Sequence, residues 1–283
     1  MNLGNKLKDL PHIMMLTLDE REDRQQYAEI QYDYWGIKNY TKVSGSKYQF
    51  STYEDWKHMV KLNPFSGALE KKKRHITDTS IALSYLLIIK NWLETTNEKY
   101  LILMEDDYDL FFIEYWHFDW NYLMNNIPYD WDCIQMSFEN PNLIPCFLHP
   151  ILPAHGVGGC MINRRYAEKI ISLHYKDDKF DLSQKICNYN WSEIESTNPN
   201  FTVDYFLCHN GKTYSIPLFS INQRFGSYAE NICRKEERSD LEFSYKACKK
   251  WWTELRDQYT LDDFFTYGKP NDRIITPEEF QNV

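Results

Sequence analysis

The chain has 283 residues, 43% hydrophobic and 26% charged, which is enough apolar content for one large domain and too much for global disorder. Its formal net charge of −9 argues against nucleic acid or an anionic membrane as the main partner. An anionic substrate would need local help, from a bound cation or from a few placed Arg and Lys side chains.

Residues 12–18 form a short apolar run that turns abruptly charged, the pattern of a buried parallel strand. A helix is predicted over residues 20–35 with Gly36 as its stop, then a short strand over 37–43 that ends at Ser44 and Gly45. The stretch 46–75 lacks a clean period and holds Pro64, Gly67 and the basic run from Lys71 to Arg74. It reads as a loop with a short helix, a candidate cover over a site, although a charge run is usually just solvated. A helix follows over 78–95, capped by Asp78 or Thr79. Residues 100–104 are a second buried apolar strand, and it stops at three carboxylates. Further strands are expected at 132–137, 157–163 and 213–216, with a helix over 165–175. This alternation predicts a mainly parallel sheet with helices on both faces.

From Ser239 onward the pattern changes. Leu241, Tyr245, Cys248, Trp252, Leu255 and Tyr259 recur at four- and three-residue steps and make one apolar helix face. That face docks either on the chain's own domain, which is favoured, or on a second subunit, which leaves an oligomer open. The expected organisation is one α/β domain over residues 1–233 and a C-terminal helical extension over 234–283, packed on it.

The seven cysteines form no C-x-x-C pair and read as reduced, mostly buried thiols. Aromatic residues reach 16%, including 21 Tyr and 9 Trp, and each ring is assigned to core packing before ligand stacking. The N-terminal apolar stretch is too short for a signal peptide, and no run approaches the roughly 20 apolar residues of a membrane span. The expectation is a soluble, cytoplasmic protein, in which the glycosylation patterns at Asn39, Asn190 and Asn200 are accidental.

Chemistry concentrates at Glu105, Asp106 and Asp107. Ligands of open α/β sheets bind beyond the carboxyl ends of parallel strands, and this triplet follows directly on a buried strand. Three adjacent carboxylates raise one another's pKa unless a cation neutralises them, and their hard oxygens suit Mg2+ or Mn2+ bridging to phosphate. The competing reading is a solvated acidic turn. Past the first strand, Arg24 can reach a diphosphate, while Arg21 and Asp19 are equally an exposed ion pair. Ser44 and Gly45 would let a nucleotide approach the backbone, or form an ordinary turn. His155, before a glycine-rich stretch, and His209 are the two histidines of interest; each alone is more often a surface or core residue.

Several of these segments follow one another in a recognisable order. They are residues 13–24 (I-M-M-L-T-L-D-E-R-E-D-R), Gly36 with Ile37, Val43 to Gly45, Ala82 to Tyr85, the acid triplet, Tyr129 to Asp132, residues 156–171, Val203 with Asp204, and residues 215–223. In order and spacing they resemble glycosyltransferase family 25, which includes lipopolysaccharide glycosyltransferases and collagen galactosyltransferase domains. The resemblance covers about residues 12–227. Two positions depart from it: Thr17 stands where the family has Asn, and Tyr85 where it has His. Nothing beyond Cys233 has a counterpart.

The resemblance implies a GT-A (Rossmann-like) fold and a metal-dependent glycosyltransferase. It would move a sugar from a nucleoside diphosphate donor, UDP-linked, to a hydroxyl of a glycan or glycoprotein acceptor, with inversion. It implies Mn2+ or Mg2+ held by Glu105 and Asp107, with His209 as candidate third ligand. Leu16, Thr17, Leu18, Ser44 and Gly45 would lie near base and ribose, Asp106 would contact the donor, and Arg24 the diphosphate. Asp204 would be the base, unless it is only a helix cap. Two rivals remain: a non-catalytic carbohydrate-binding or scaffold protein that keeps the GT-A fold, and a nucleotidyltransferase. The second usually carries a Gly-rich, Lys-containing phosphate loop near the N-terminus, which is not seen.

Overall fold

A computed structural model describes residues 6–48, 55, 57–61, 69–137, 144–145, 147–150, 159–182, 203–208, 210–222, 235–265 and 274–275. The fold is α/β. Its main sheet has seven strands: β1 (Ile13–Thr17), β2 (Tyr40–Ser44), β4 (Tyr100–Glu105), β6 (Cys133–Gln135), β8 (His149–Pro150), β9 (Gly159–Asn163) and β12 (Thr213–Ser215). Shorter strands outside it are β3 (Val60–Lys61), β5 (Tyr108–Asp109), β7 (Ile144–Pro145), β10 (Tyr175–Lys176), β11 (Lys179–Asp181), β13 (Ser220–Ile221) and β14 (Ile274–Ile275). They lie in the order β2-β1-β4-β9-β6-β12-β8. β1 is parallel to β2 and β4, and β6 is parallel to β12. β9 runs antiparallel between β4 and β6, and β8 antiparallel to β12. The sheet is therefore mostly parallel, as expected, with one reversed strand in its middle that alternation alone does not announce.

Side-chain alternation along the central strands feeds two cores. Ile13, Met15, Ile102, Met104 and Ile134 face one side, against Ala28 and Tyr32 of α1 (Glu22–Trp35) and Leu123 of α3 (Trp120–Asn126). Met14, Leu16, Leu101, Leu103 and Cys133 face the other. There they meet Leu86 and Ile89 of α2 (Leu69–Thr95), Ala167 and Ile170 of α4 (Arg164–His174), and Phe206 of α5 (Val203–Cys208). Burial on both faces is why these strands read as continuous apolar runs. α1 stops at Gly36, which takes the left-handed conformation (φ 70°) that glycine adopts without penalty.

Two expectations need correction. The basic run from Lys71 to Arg74 is not in a loop: α2 begins at Leu69, nine residues before the expected start. No Gly or Pro interrupts residues 69–95. The polar stretch that looks like a cap is helix interior, where Ser80 and Ser84 donate back to the carbonyls of Ile76 and Ser80 at 3.0 and 2.9 Å. Arg21, too, pairs with Asp23 at 2.9 Å rather than with Asp19.

The C-terminal segment comprises α6 (Lys235–Lys250), a π-helical turn (Trp251–Leu255) and α7 (Leu261–Phe265). Ala247, Cys248, Trp251, Trp252 and Phe264 share the first core with β1 and β4, and Trp252 Nε1 donates to Pro217 O at 2.8 Å. Trp251, three residues after Cys248 and four after Ala247, is buried beside Trp252 on the same face. Phe118, Phe147, Tyr259, Phe264 and the two tryptophans form a continuous aromatic cluster. Much of the high aromatic content is thus core. Cys133, Cys160, Cys208 and Cys248 are buried and form no disulfide. No described helix is long and apolar enough to cross a membrane.

Two tertiary devices close the fold. The buried Lys6 ammonium donates to the carbonyls of Ile113, Glu114 and Trp116 at 2.9, 2.8 and 2.6 Å, capping the 3-10 helix Phe111–Tyr115. Asp132 accepts from Arg165 Nη2 at 2.7 Å and from the Lys212 backbone at 3.0 Å, which presses Gly211 against it. A Cβ at Gly211 would lie 2.5 Å from Tyr166 Cε2 and 2.7 Å from Asp132 Cβ. Gly211→Ala is therefore expected to cost about 1–3 kcal/mol, read as a lower midpoint in urea unfolding. An unchanged midpoint would contradict this packing.

Candidate functional site

The carboxyl ends of β1, β2 and β4 lie side by side, with Leu16 opposite both Val43 and Glu105 and Thr17 opposite Ser44. The chain turns just past β4, and the turn is pinned. β5 (Tyr108–Asp109) pairs with β13 (Ser220–Ile221), and Asn222 N donates to Asp107 O at 2.7 Å. The acids are thus held by a segment more than a hundred residues away, the one that carries the last piece of the sequence resemblance.

Each acid has its own partner. Tyr85, buried on α2, donates its hydroxyl to Glu105 Oε1 at 3.1 Å. Thr17 donates to Asp106 Oδ2 at 2.6 Å. Arg24, the third residue of α1, places Nη1 3.3 Å from Asp106 Oδ1 and 3.1 Å from Asp107 Oδ2. Arg24, Asp106 and Asp107 are all buried, whereas Glu105 is half-buried. Asp107 Oδ1 is buried and has no hydrogen-bond partner. A buried carboxylate oxygen in that state is costly unless something outside the chain serves it.

The electrostatics follow. Burial first, then the neighbouring Asp107 and Asp106, push the Glu105 carboxyl up to about 8. Burial lifts Asp107 to about 6 against the opposing pull of Arg24. At these two carboxyls, then, the folded, cation-free protein binds more protons than the unfolded one between about pH 4 and 8. Their contribution to stability falls as pH rises through that window. With chelator present, the melting midpoint is expected to fall by about 5 °C or more from pH 5.5 to 8. Glu105→Gln should flatten most of this slope, and an equal slope in both proteins would contradict it.

The same edge carries two further orphaned hydroxyls. Ser44 Oγ, at the end of β2, and Ser137 Oγ, just past β6, are buried without a partner. Ser137 faces Gly159, where a Cβ would lie 3.2 Å from its Oγ and 3.3 Å from the Tyr108 ring. At Gly45 the space for a Cβ is taken up by Leu16 and Leu18 at 3.3 and 3.4 Å, and its N–H donates to Thr17 O at 2.7 Å. Packing alone accounts for that glycine.

The structure brings Leu16, Thr17, Leu18, Arg24, Ser44, Gly45, Glu105, Asp106 and Asp107 into one group. His209 and His155 lie outside the described residues. Asp204 is the second residue of α5. Sequence reasoning assigned no role to Ser137 or Asn222, whose only signal is a place at or near strand ends. Tyr85 was noted only as a departure from the family pattern, and Thr17 both as a departure and as a residue near base and ribose.

Among the described residues, no three His, Cys, Asp or Glu side chains are arranged to hold a metal ion. The donors that remain, Asp107 Oδ1 and Glu105, still fit Mg2+ or Mn2+. Such ions are commonly held by one or two carboxylates together with substrate phosphates.

No protein-family model and no curated protein matches the chain. Among solved structures, a crystal structure of A197 from STIV aligns with 74% of this chain and 84% of its own, at 10% identity and a TM-score of 0.40.

Proposed function

We propose that this chain is a metal-dependent glycosyltransferase of the GT-A type and the family 25 kind, using a UDP-linked sugar donor and a glycan or glycoprotein hydroxyl as acceptor. The observation that carries this reading is the unserved Asp107 Oδ1 beside Glu105 and Asp106, at the carboxyl end of a buried parallel strand. That is where open α/β sheets bind ligands.

In this reading Asp107 and Glu105 hold Mn2+ or Mg2+, with His209 as third ligand. The cation supplies charge that stabilises the departing diphosphate. Thr17 fixes Asp106 toward the donor, Tyr85 fixes Glu105, and Arg24 adds positive charge beside the diphosphate. Leu16, Leu18, Ser44 and Gly45 line the base and ribose, where the Ser44 hydroxyl has a hydrogen bond to offer. Asp204 accepts the proton of the acceptor hydroxyl, which attacks the anomeric carbon with inversion. The UDP preference and the inversion rest on the resemblance.

A second reading has an observation of its own: Arg24 already offsets two of the three acids, as a fold-retaining but non-catalytic carbohydrate-binding or scaffold protein would also permit. Thermal-shift measurements with Mn2+ and UDP, GDP or CDP test the donor class. A clear UDP preference is expected, and preference for GDP or CDP would contradict it.

A further inference from the structure

We infer that Arg24 keeps a bare divalent cation out of the acid triplet and admits it only together with a nucleoside diphosphate, so that metal and nucleotide bind as one complex. This deepens the proposed function and rests on it.

The geometry supplies the reason. Arg24 Nη1 lies 3.1 Å from Asp107 Oδ2, and the open oxygen, Oδ1, belongs to the same carboxylate. A cation at Oδ1 would sit one carboxylate's width from the guanidinium. Both would be buried, where like charges are poorly screened. Arg24 is also held by Asp106 Oδ1 at 3.3 Å, so it does not simply vacate the position. A diphosphate changes the balance, because its oxygens can satisfy the cation and the guanidinium at once, and a guanidinium fork suits phosphate. The acids alone do not require such a ligand. The buried, unpartnered hydroxyls of Ser44 and Ser137 on the same edge point to one larger than an ion.

The test is calorimetric titration of the full chain with MnCl2, alone and at saturating UDP, for the wild type, Arg24→Gln and Arg24→Lys. In the wild type UDP is expected to tighten Mn2+ binding by about 100-fold or more. Arg24→Gln, which removes the charge, should bind Mn2+ alone about tenfold more tightly than wild type and lose about tenfold of the UDP coupling. Arg24→Lys should stay within about threefold of wild type for Mn2+ alone, since it keeps the charge. Equal wild-type affinity for Mn2+ with and without UDP overturns the inference even if Arg24→Gln does not fold. A folded Arg24→Gln that binds Mn2+ alone no tighter than wild type also overturns it and makes Arg24 a structural ion pair. A wild type that binds neither Mn2+ nor UDP in any combination overturns the functional reading, and the inference with it.

Discussion

Replacing Asp107 by alanine is expected to remove the cation-dependent part of nucleotide binding, a loss of about 100-fold or more, since even residues that only support a metal ligand are worth 10–100-fold. Asp107 is the acid with a buried oxygen that the chain does not serve. Its place is set by its own backbone, through the bond from Asn222 N and the β5–β13 pairing, so removing the side chain should leave the turn intact. Arg24 keeps Asp106 as a partner in the variant. The fold should therefore survive while UDP affinity becomes the same with Mn2+ and with chelator. An Asp107→Ala protein whose UDP affinity still rises with Mn2+ would move the cation elsewhere.

Asp204→Asn is expected to cut sugar transfer by about 100-fold or more while leaving UDP and Mn2+ binding near wild type, because the amide cannot accept the acceptor's proton. Asp204 is the second residue of α5, whose Phe206, Leu207 and Cys208 are buried in the core on the α2 face. Asparagine keeps the shape and much of the hydrogen-bonding capacity of aspartate at a helix start, so folding should be little changed. Steady-state transfer rates measured beside binding separate the two roles. Unchanged turnover in a folded Asp204→Asn protein would leave Asp204 a local structural residue.

What the sequence made legible was whatever a local pattern can encode. β1 and β4 are apolar runs because both faces are covered. α1 ends where a glycine permits a left-handed residue. The acid triplet stands out because three carboxylates at a buried strand's end have no ordinary packing use. The features it hid depend on chain return. Lys6 caps a segment more than a hundred residues away, and Asn222 anchors the acid turn from a similar distance. Ser137 looks like any strand-end serine until Gly159 and Tyr108 close over it. Thr17 and Tyr85 are the instructive pair. Both depart from the family pattern, yet both place a hydroxyl on the acid triplet. The start of α2 was misplaced for a different reason: polar residues inside a helix imitate a cap.

Cation-dependent sugar transfer at the edge around Asp107 is tested by release of nucleoside diphosphate from a panel of nucleotide sugars, with Mn2+ or with chelator, for the wild type and Asp107→Ala. Release from a UDP-sugar is expected for the wild type with Mn2+, and none with chelator or in the folded Asp107→Ala protein. Wild-type protein that binds nucleotide and cation yet releases no diphosphate from any sugar, with glycan and glycoprotein acceptors supplied, would contradict it and leave a protein that binds without transfer.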